Sequence, residues 1–202
     1  MSVAVLDTRL DILRHGEPDG DDCFRGSGVD HPLTDHGWSQ MQAAIAQKTE
    51  WDLIISSPLS RCRAFAEKLA TDLSLELILD EDLKEIGFGS WEGRTKEDIK
   101  ANDSEAYKQF CLDPVHKRPA GAEPLEKFSN RVWHKLEKIA ASHQGKRILI
   151  IAHAGVIRVV TARTLGLALN DVYNQLKIEY AATISCRFND KGKAILLLPS
   201  SL

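Results

Sequence analysis

Leu10-Asp11-Ile12-Leu13-Arg14-His15-Gly16-Glu17 and Ile148-Leu149-Ile150-Ile151-Ala152-His153-Ala154-Gly155 decide the fold of this chain. Each is a short apolar run that ends in a histidine and a glycine turn. That is the pattern of a buried strand running into the loop before a helix. In an open α/β sheet this carboxyl edge is where ligand-binding groups collect. Two histidines delivered there from opposite ends of the sequence, one beside an arginine, point to a single site for an anionic substrate.

The bulk composition bounds the rest. At 202 residues the chain fits one domain, residues 1–202, with a single well-developed core. Its 43% hydrophobic and 27% charged residues are ordinary for a soluble protein. A net charge of −3 gives no general attraction to nucleic acid or an anionic membrane, so anion binding must come from locally placed arginines. No apolar stretch approaches the roughly 18–20 residues that span a bilayer. Met1–Asp7 is too short and too acidic for a signal peptide. Cys23, Cys62, Cys111 and Cys186 show no CxxC pair or zinc-like spacing, and are expected to be reduced thiols in a cytoplasmic protein. No metal and no cofactor is expected, and oligomeric state cannot be read from the sequence.

Along the chain, strands alternate with helices. Leu10–Leu13 is the first strand, and Thr34 caps a helix over about 35–48 with Trp38, Met41 and Ile45 on one face. Residues 52–56 form a second buried strand. Ser57 then reads as an N-cap and Pro58 as the first position of a helix to about Asp72. A third strand is expected over 75–79. From Asp80 to Pro124 the pattern loosens into loops with short helices near 95–100 and 104–110, an excursion of the kind that forms a lid or wall. Pro124 opens the clearest helix, in which Leu125, Phe128, Val132, Leu136 and Ile139 recur at spacings of three and four. Arg147–Ala152 is the most buried strand, followed by a helix to about Leu165. Strands over 181–188 and 194–198 close a hairpin around Asn189-Asp190-Lys191-Gly192. The sum is a three-layer α/β/α sandwich with a largely parallel central sheet.

Arg61 is the most telling cation. It falls in the first turn of a helix, where the helix dipole disfavours it by about 0.3–1 kcal/mol. A helix N-terminus already attracts anions, so a positive side chain there makes sense if a phosphate or carboxylate sits in front of it. Taken singly, Arg61 also reads as a solvated surface residue, Arg14 as a structural ion pair, and His15 and His153 as satisfied core histidines. Arg63 reads as surface, as do His31, His36, His116, His134 and His143.

The joint pattern is more specific. Leu13-Arg14-His15-Gly16-Glu17 resembles the signature of the histidine phosphatase superfamily, the phosphoglycerate-mutase-like proteins. The other blocks follow in order: Pro32-Leu33-Thr34 with Gly37 and Gln40; Ser56 to Cys62; Leu83 to Gly93; Pro119 to Leu125; and His153 to Arg158. The likeness covers about residues 10–165. It implies that His15 attacks phosphorus and becomes transiently phosphorylated, which divides a hard displacement into two easier ones. Arg14, Arg61 and His153 would then hold the non-bridging oxygens, because positioning and electrostatic stabilisation dominate phosphoryl transfer. Glu85 matches the family's proton donor to the leaving oxygen, later the base that activates water. The arginines would lower the pKa of His15 and keep it nucleophilic at neutral pH.

Departures from the family pattern lie just after the signature. Pro18 and Asp21 stand where relatives commonly carry Ser or Thr and Asn. Asp21 would repel a phosphate unless turned away or neutralised by Arg25, and is left out of the binding set; Arg25 and Gly28 are added as candidate substrate contacts, the glycine-rich 23–31 loop offering backbone amides for an anion nest. The compact span from Glu85 to His153 favours a phosphatase over a mutase. Phe24-Arg25-Gly26 and Phe88-Gly89-Ser90-Trp91-Glu92-Gly93 are most similar to the alpha-ribazole phosphatases of cobalamin assembly, with a small phosphomonoester as the expected partner. Phe88, Trp91, Tyr107 and Phe110 are candidates to stack on a heterocycle. The alternatives are a broad-specificity phosphatase, a cofactor-dependent phosphoglycerate mutase, an inactive phospho-ligand binder, and a metallohydrolase. The last is disfavoured by the adjacent arginines and by the absence of ligand spacing such as HExxH.

Overall fold

The structure is a computed structural model that describes residues 7–47 and 50–197. The chain runs β1 (Thr8–Arg14), α1 (Asp35–Ile45), β2 (Leu53–Ser56), α2 (Ser60–Leu73) and β3 (Leu77–Leu79). Short 3-10 turns at Glu81–Leu83 and Gly89–Trp91 lead to α3 (Lys96–Asn102), α4 (Ser104–Leu112) and α5 (Leu125–Ser142). Then come β4 (Arg147–Ala152), α6 (Ala154–Leu165), α7 (Leu169–Gln175), β5 (Thr183–Phe188) and β6 (Ala194–Leu197).

The strands form one six-stranded sheet in the order β3-β2-β4-β1-β5-β6. The first four are mutually parallel, while β5 and β6 run antiparallel. Side-chain alternation across the pleat divides the core in two. Leu10, Ile12, Ile148 and Ile150 face α5 and α6, and Leu13, Ile54, Leu149 and Ile151 face α1 and α2. The apolar stripe of α5 (Leu125, Phe128, Val132, Leu136, Ile139) is buried as its spacing predicts. Burial of each such side chain contributes about 1.5–3 kcal/mol. The result is the expected α/β/α sandwich. Asp11 is the one carboxylate buried inside β1, and it accepts hydrogen bonds from Trp51 Nε1 (2.9 Å), Arg147 Nε (2.8 Å) and Arg9 Nε (3.0 Å). Burial pushes its carboxyl up, yet these donors and Ser185 together hold it below the usual carboxylate range.

Several boundaries differ from the sequence reading. Helix α1 ends at Ile45, and Lys48 lies outside the described residues, as do Met1–Leu6, Leu198 and the tail Pro199–Leu202. Neither Ser57 nor Pro58 is part of α2: Leu59, in an extended conformation, precedes its first turn. The cap comes from a distant loop, where Asp30 Oδ1 accepts from Ser60 N–H at 2.7 Å and from Ser60 Oγ at 2.8 Å. Helix α7 was not expected, since only Val172 of its seven residues is buried and no stripe marks it. Among the described residues, no helix is long and apolar enough to cross a membrane.

Candidate active site

Three adjacent parallel strands deliver their next residues to one edge. β2 ends at Ser56 and is followed by Ser57, β4 by His153, and β1 by His15; Arg14 is in register with Ala152, and Ser56 with Ile151. The backbone N–H of His15 donates to Ala152 O at 3.0 Å, so the strand pairing continues into the site. The imidazoles of His15 and His153 stand 5.2 Å apart at 64°. That separation is close to the spacing of neighbouring strands, about 4.8 Å.

His15 is 5% exposed and His153 fully buried. His15 Nδ1 lies 2.8 Å from Gly16 O. A carbonyl can only accept, so Nδ1 carries the hydrogen and Nε2 keeps the free lone pair. Burial holds the His15 imidazolium well below its usual pKa, and the charges of Arg61 and Arg14 push it the same way. Burial, rather than the arginines invoked from the sequence, is the larger cause. His153 is held well down by burial, then by Arg61 and His15; its Nε2 lies 2.8 Å from Ser57 Oγ. Cys62 packs on the same ring at 3.7 Å, and burial raises its thiol to about 12, so it stays protonated.

Two arginines flank this pair. The Arg14 guanidinium stacks 4.1 Å from the Tyr180 ring centroid and donates from Nη1 to Ile178 O. Arg61, only 1% exposed, donates from Nη1 to Val29 O (2.9 Å) and from Nη2 to Gly26 O (2.7 Å). Each keeps a buried Nε–H with no partner among the described residues. A desolvated cation with an unused donor is costly, and two of them beside a neutral imidazole make a place for an oxyanion. The turn before β5 carries Ala181 at φ 55°, an uncommon left-handed alanine whose N–H reaches His15 O at 3.2 Å.

Glu85 comes from the long excursion. Its Oε1 accepts from Ile86 N–H at 3.0 Å, and its Oε2 from Gly155 N–H at 3.2 Å in the first turn of α6. A Cβ on Gly155 would stand 2.2 Å from Glu85 Oε1 and 2.9 Å from Phe128, so glycine is required for the carboxylate to sit there. His15, His153, Arg14, Arg61 and Glu85 therefore converge on one carboxyl-edge site. No cluster of His, Cys, Asp and Glu arranged to hold a metal occurs among the described residues.

The sequence model of the histidine phosphatase superfamily, branch 1, matches residues 10–200. This chain belongs to the histidine phosphatase superfamily. By that membership it is a phosphoric monoester hydrolase. It is 27% identical over 195 residues to the adenosylcobalamin/alpha-ribazole phosphatase of Escherichia coli, covering 95% of this chain and 96% of that one. The solved alpha-ribazole phosphatase of Shigella flexneri superposes with a TM-score of 0.81 at 29% identity, over 96% of both chains. A mycobacterial glucosyl-3-phosphoglycerate phosphatase solved with VO3 gives a TM-score of 0.81 at 25% identity, over 94% of this chain and 97% of that one.

The remaining candidates of this phosphatase, Arg25 and Gly28, make other contacts in the structure. Arg25 directs Nη2 to the carbonyls of Asp19, Gly20 and Asp21, and Nε to His31 Nδ1 at 3.3 Å, so it ties down its own loop. Gly28 packs against the Glu92 carboxylate. A Cβ there would meet Glu92 Oε2 at 2.0 Å, and Glu92 Oε1 accepts from Ser27 N–H (3.1 Å) and Phe88 N–H (3.0 Å). The protein's own carboxylate fills the loop that composition marked for an external anion. His31 and His143 are half-buried, whereas His36, His116 and His134 are exposed as expected. Arg63 is exposed and paired with Glu67.

A cleft of about 360 Å³ opens beside Glu85, with Phe24, Phe88 and Phe110 on one side and Arg158 and Tyr173 on the other. Trp91 lies beneath it as core, 2% exposed, with its ring against Phe24, Phe110 and Tyr107. Ser57 and Tyr180 were missed as site residues. Ser57 carried a sequence signal that was spent on a helix cap, and Tyr180 carried none. Gly155→Ala is expected to displace Glu85 and lower kcat on an alkyl phosphate by about 10²-fold, the cost of roughly 1 Å of misplacement. Steady-state kinetics with circular dichroism checks this, and an unchanged kcat would sink it.

Proposed function

We propose that this phosphatase works through a phosphohistidine on His15 Nε2. The supporting observation is the pairing of a neutral imidazole, its Nδ1–H committed to Gly16 O, with the buried Arg61 and half-buried Arg14 guanidinium groups, whose buried Nε–H groups have no partner among the described residues. In the first step Nε2 attacks phosphorus and the ester P–O bond breaks, while the Glu85 carboxyl passes its proton to the departing oxygen. In the second, Glu85 takes a proton from water, the hydroxide oxygen attacks phosphorus, and the P–N bond breaks to give inorganic phosphate and free His15. Arg14 and Arg61 offset the two negative charges of the phosphoryl group, and His153 stands on its remaining side as a neutral hydrogen-bonding ring.

For the leaving group, alpha-ribazole, a benzimidazole nucleoside, is the reading that the relatives and the cleft favour together. The two alpha-ribazole phosphatases align over nearly the whole chain. The Phe24, Phe88 and Phe110 wall offers a flat ring a surface on which to stack, in a volume typical of small-molecule sites. The test is kcat/KM over a panel containing alpha-ribazole 5′-phosphate, phosphoserine and 3-phosphoglycerate. Alpha-ribazole 5′-phosphate is expected to lead by about tenfold or more, within the range a shaped pocket supplies. Equal or reversed rates would refute that substrate, and recovery of 2-phosphoglycerate instead of free phosphate would make the protein a mutase.

A further inference from the structure

Glu123 closes the block Pro119-Ala120-Gly121-Ala122-Glu123, which has no place in the chemistry above. Its carboxylate takes the Arg131 guanidinium in a two-pronged pair, Nε to Oε1 at 2.8 Å and Nη2 to Oε2 at 2.9 Å. Arg131 rises from the middle of α5 and lies 4.7 Å over the Phe128 ring. Its other donors run along the backbone that carries Glu85. Nη1 donates to Asp82 O (2.7 Å) and Lys84 O (3.0 Å), and Nη2 to Glu85 O (3.3 Å). Glu123 reaches the same segment through Gly87, accepting its N–H at 3.4 Å and donating its own N–H to Gly87 O at 3.1 Å.

Residues 85–88 belong to no helix or strand, so no ladder fixes them. The Glu85 carboxylate is held by two backbone N–H groups, and its place therefore follows the path of this segment. One planar fork spanning three carbonyls within four residues is a task for arginine, because the lysine ammonium has no such geometry. We infer that Arg131, braced by Glu123, is the positioning residue that sets where Glu85 meets the leaving oxygen. The inference rests on the reading of Glu85 as proton donor.

Leaving-group basicity separates this role from a general structural one. An alkoxide needs the proton from Glu85, whereas 4-nitrophenolate departs with little help. kcat/KM reports only the steps up to phosphoenzyme formation, so the comparison is unaffected by the later hydrolysis. Arg131→Lys is expected to lower kcat/KM for benzyl phosphate by about tenfold, a fraction of the 10²–10⁴ that a general acid supplies, and to cost far less on 4-nitrophenyl phosphate. Glu123→Gln, which keeps Arg131 and its carbonyl contacts, is expected to show the same tilt at smaller size, and it carries the test if Arg131→Lys does not fold. Adding Arg131→Lys to Glu85→Gln is expected to cause no further loss on benzyl phosphate, because both act on one step. Equal losses on the two esters, or additive losses in the double variant, would overturn the inference. A flat leaving-group profile in Glu85→Gln alone would overturn the proton-donor reading and this inference with it.

Discussion

His15→Ala is expected to end turnover, with kcat falling on the order of 10⁴–10⁶, the range seen when a covalent nucleophile is deleted. The fold should survive, because the residue sits just past β1 and its backbone contacts to Ala152 and Ala181 do not depend on the ring. The wild-type protein, quenched during turnover of a ³²P-labelled ester, is expected to carry acid-labile label that His15→Ala lacks. A fully active His15→Ala protein, or label on another residue, would refute the assignment. The pH profile follows from the same ring. The folded imidazole sits well below its usual 6.5, so it remains unprotonated as pH falls through 6.5. The acid limb of kcat/KM, corrected for substrate ionisation near about pH 6, is therefore expected below that value. A limb at or above 6.5 would mean that burial and the arginines do not act on the nucleophile as described.

Arg61→Ala carries the second largest expected effect. Removing one preorganised donor to transition-state charge typically costs about 10²–10³ in kcat. In the proposed mechanism this guanidinium serves the phosphoryl oxygens and not the leaving group, so the loss is expected to be equal on benzyl and 4-nitrophenyl phosphate. That even loss is the opposite of the pattern for Arg131. Arg61 also holds the carbonyls of Gly26 and Val29, so the variant is expected to be less stable to unfolding by about 1–3 kcal/mol for the acceptors left unpaired. Arg61→Lys keeps the charge without the fork and should fall between the two. A drop under tenfold in Arg61→Ala, or one confined to benzyl phosphate, would remove Arg61 from the oxyanion site.

What the sequence disclosed follows the range of the interactions involved. β1, β4 and α5 declare themselves because local periodicity and burial coincide in them. The strand-end histidines were readable for the same reason, since the strand fixes the next residue. Long-range pairings were not. Asp30 caps α2 from 30 residues away and freed Ser57 to meet His153. Glu92 fills the loop around Gly28 from 64 positions downstream, and no local pattern distinguishes a glycine that yields to a carboxylate of its own chain from one that awaits a ligand. Tyr180 beneath Arg14 and Arg131 behind Glu85 are likewise contacts between segments far apart in sequence.

The two imidazoles stand on strands locked together by their backbones, whereas the carboxylate hangs from an irregular segment held by side chains of other elements. The machine thus has a stiff half and a compliant half. A lineage can change the cleft walls supplied by Phe88, Phe110 and Pro114, and exchange one alcohol for another, while the strand-borne histidines stay in place. Protein engineers seeking new esters should vary those wall positions and leave the strand ends, Glu92 and Glu123 alone.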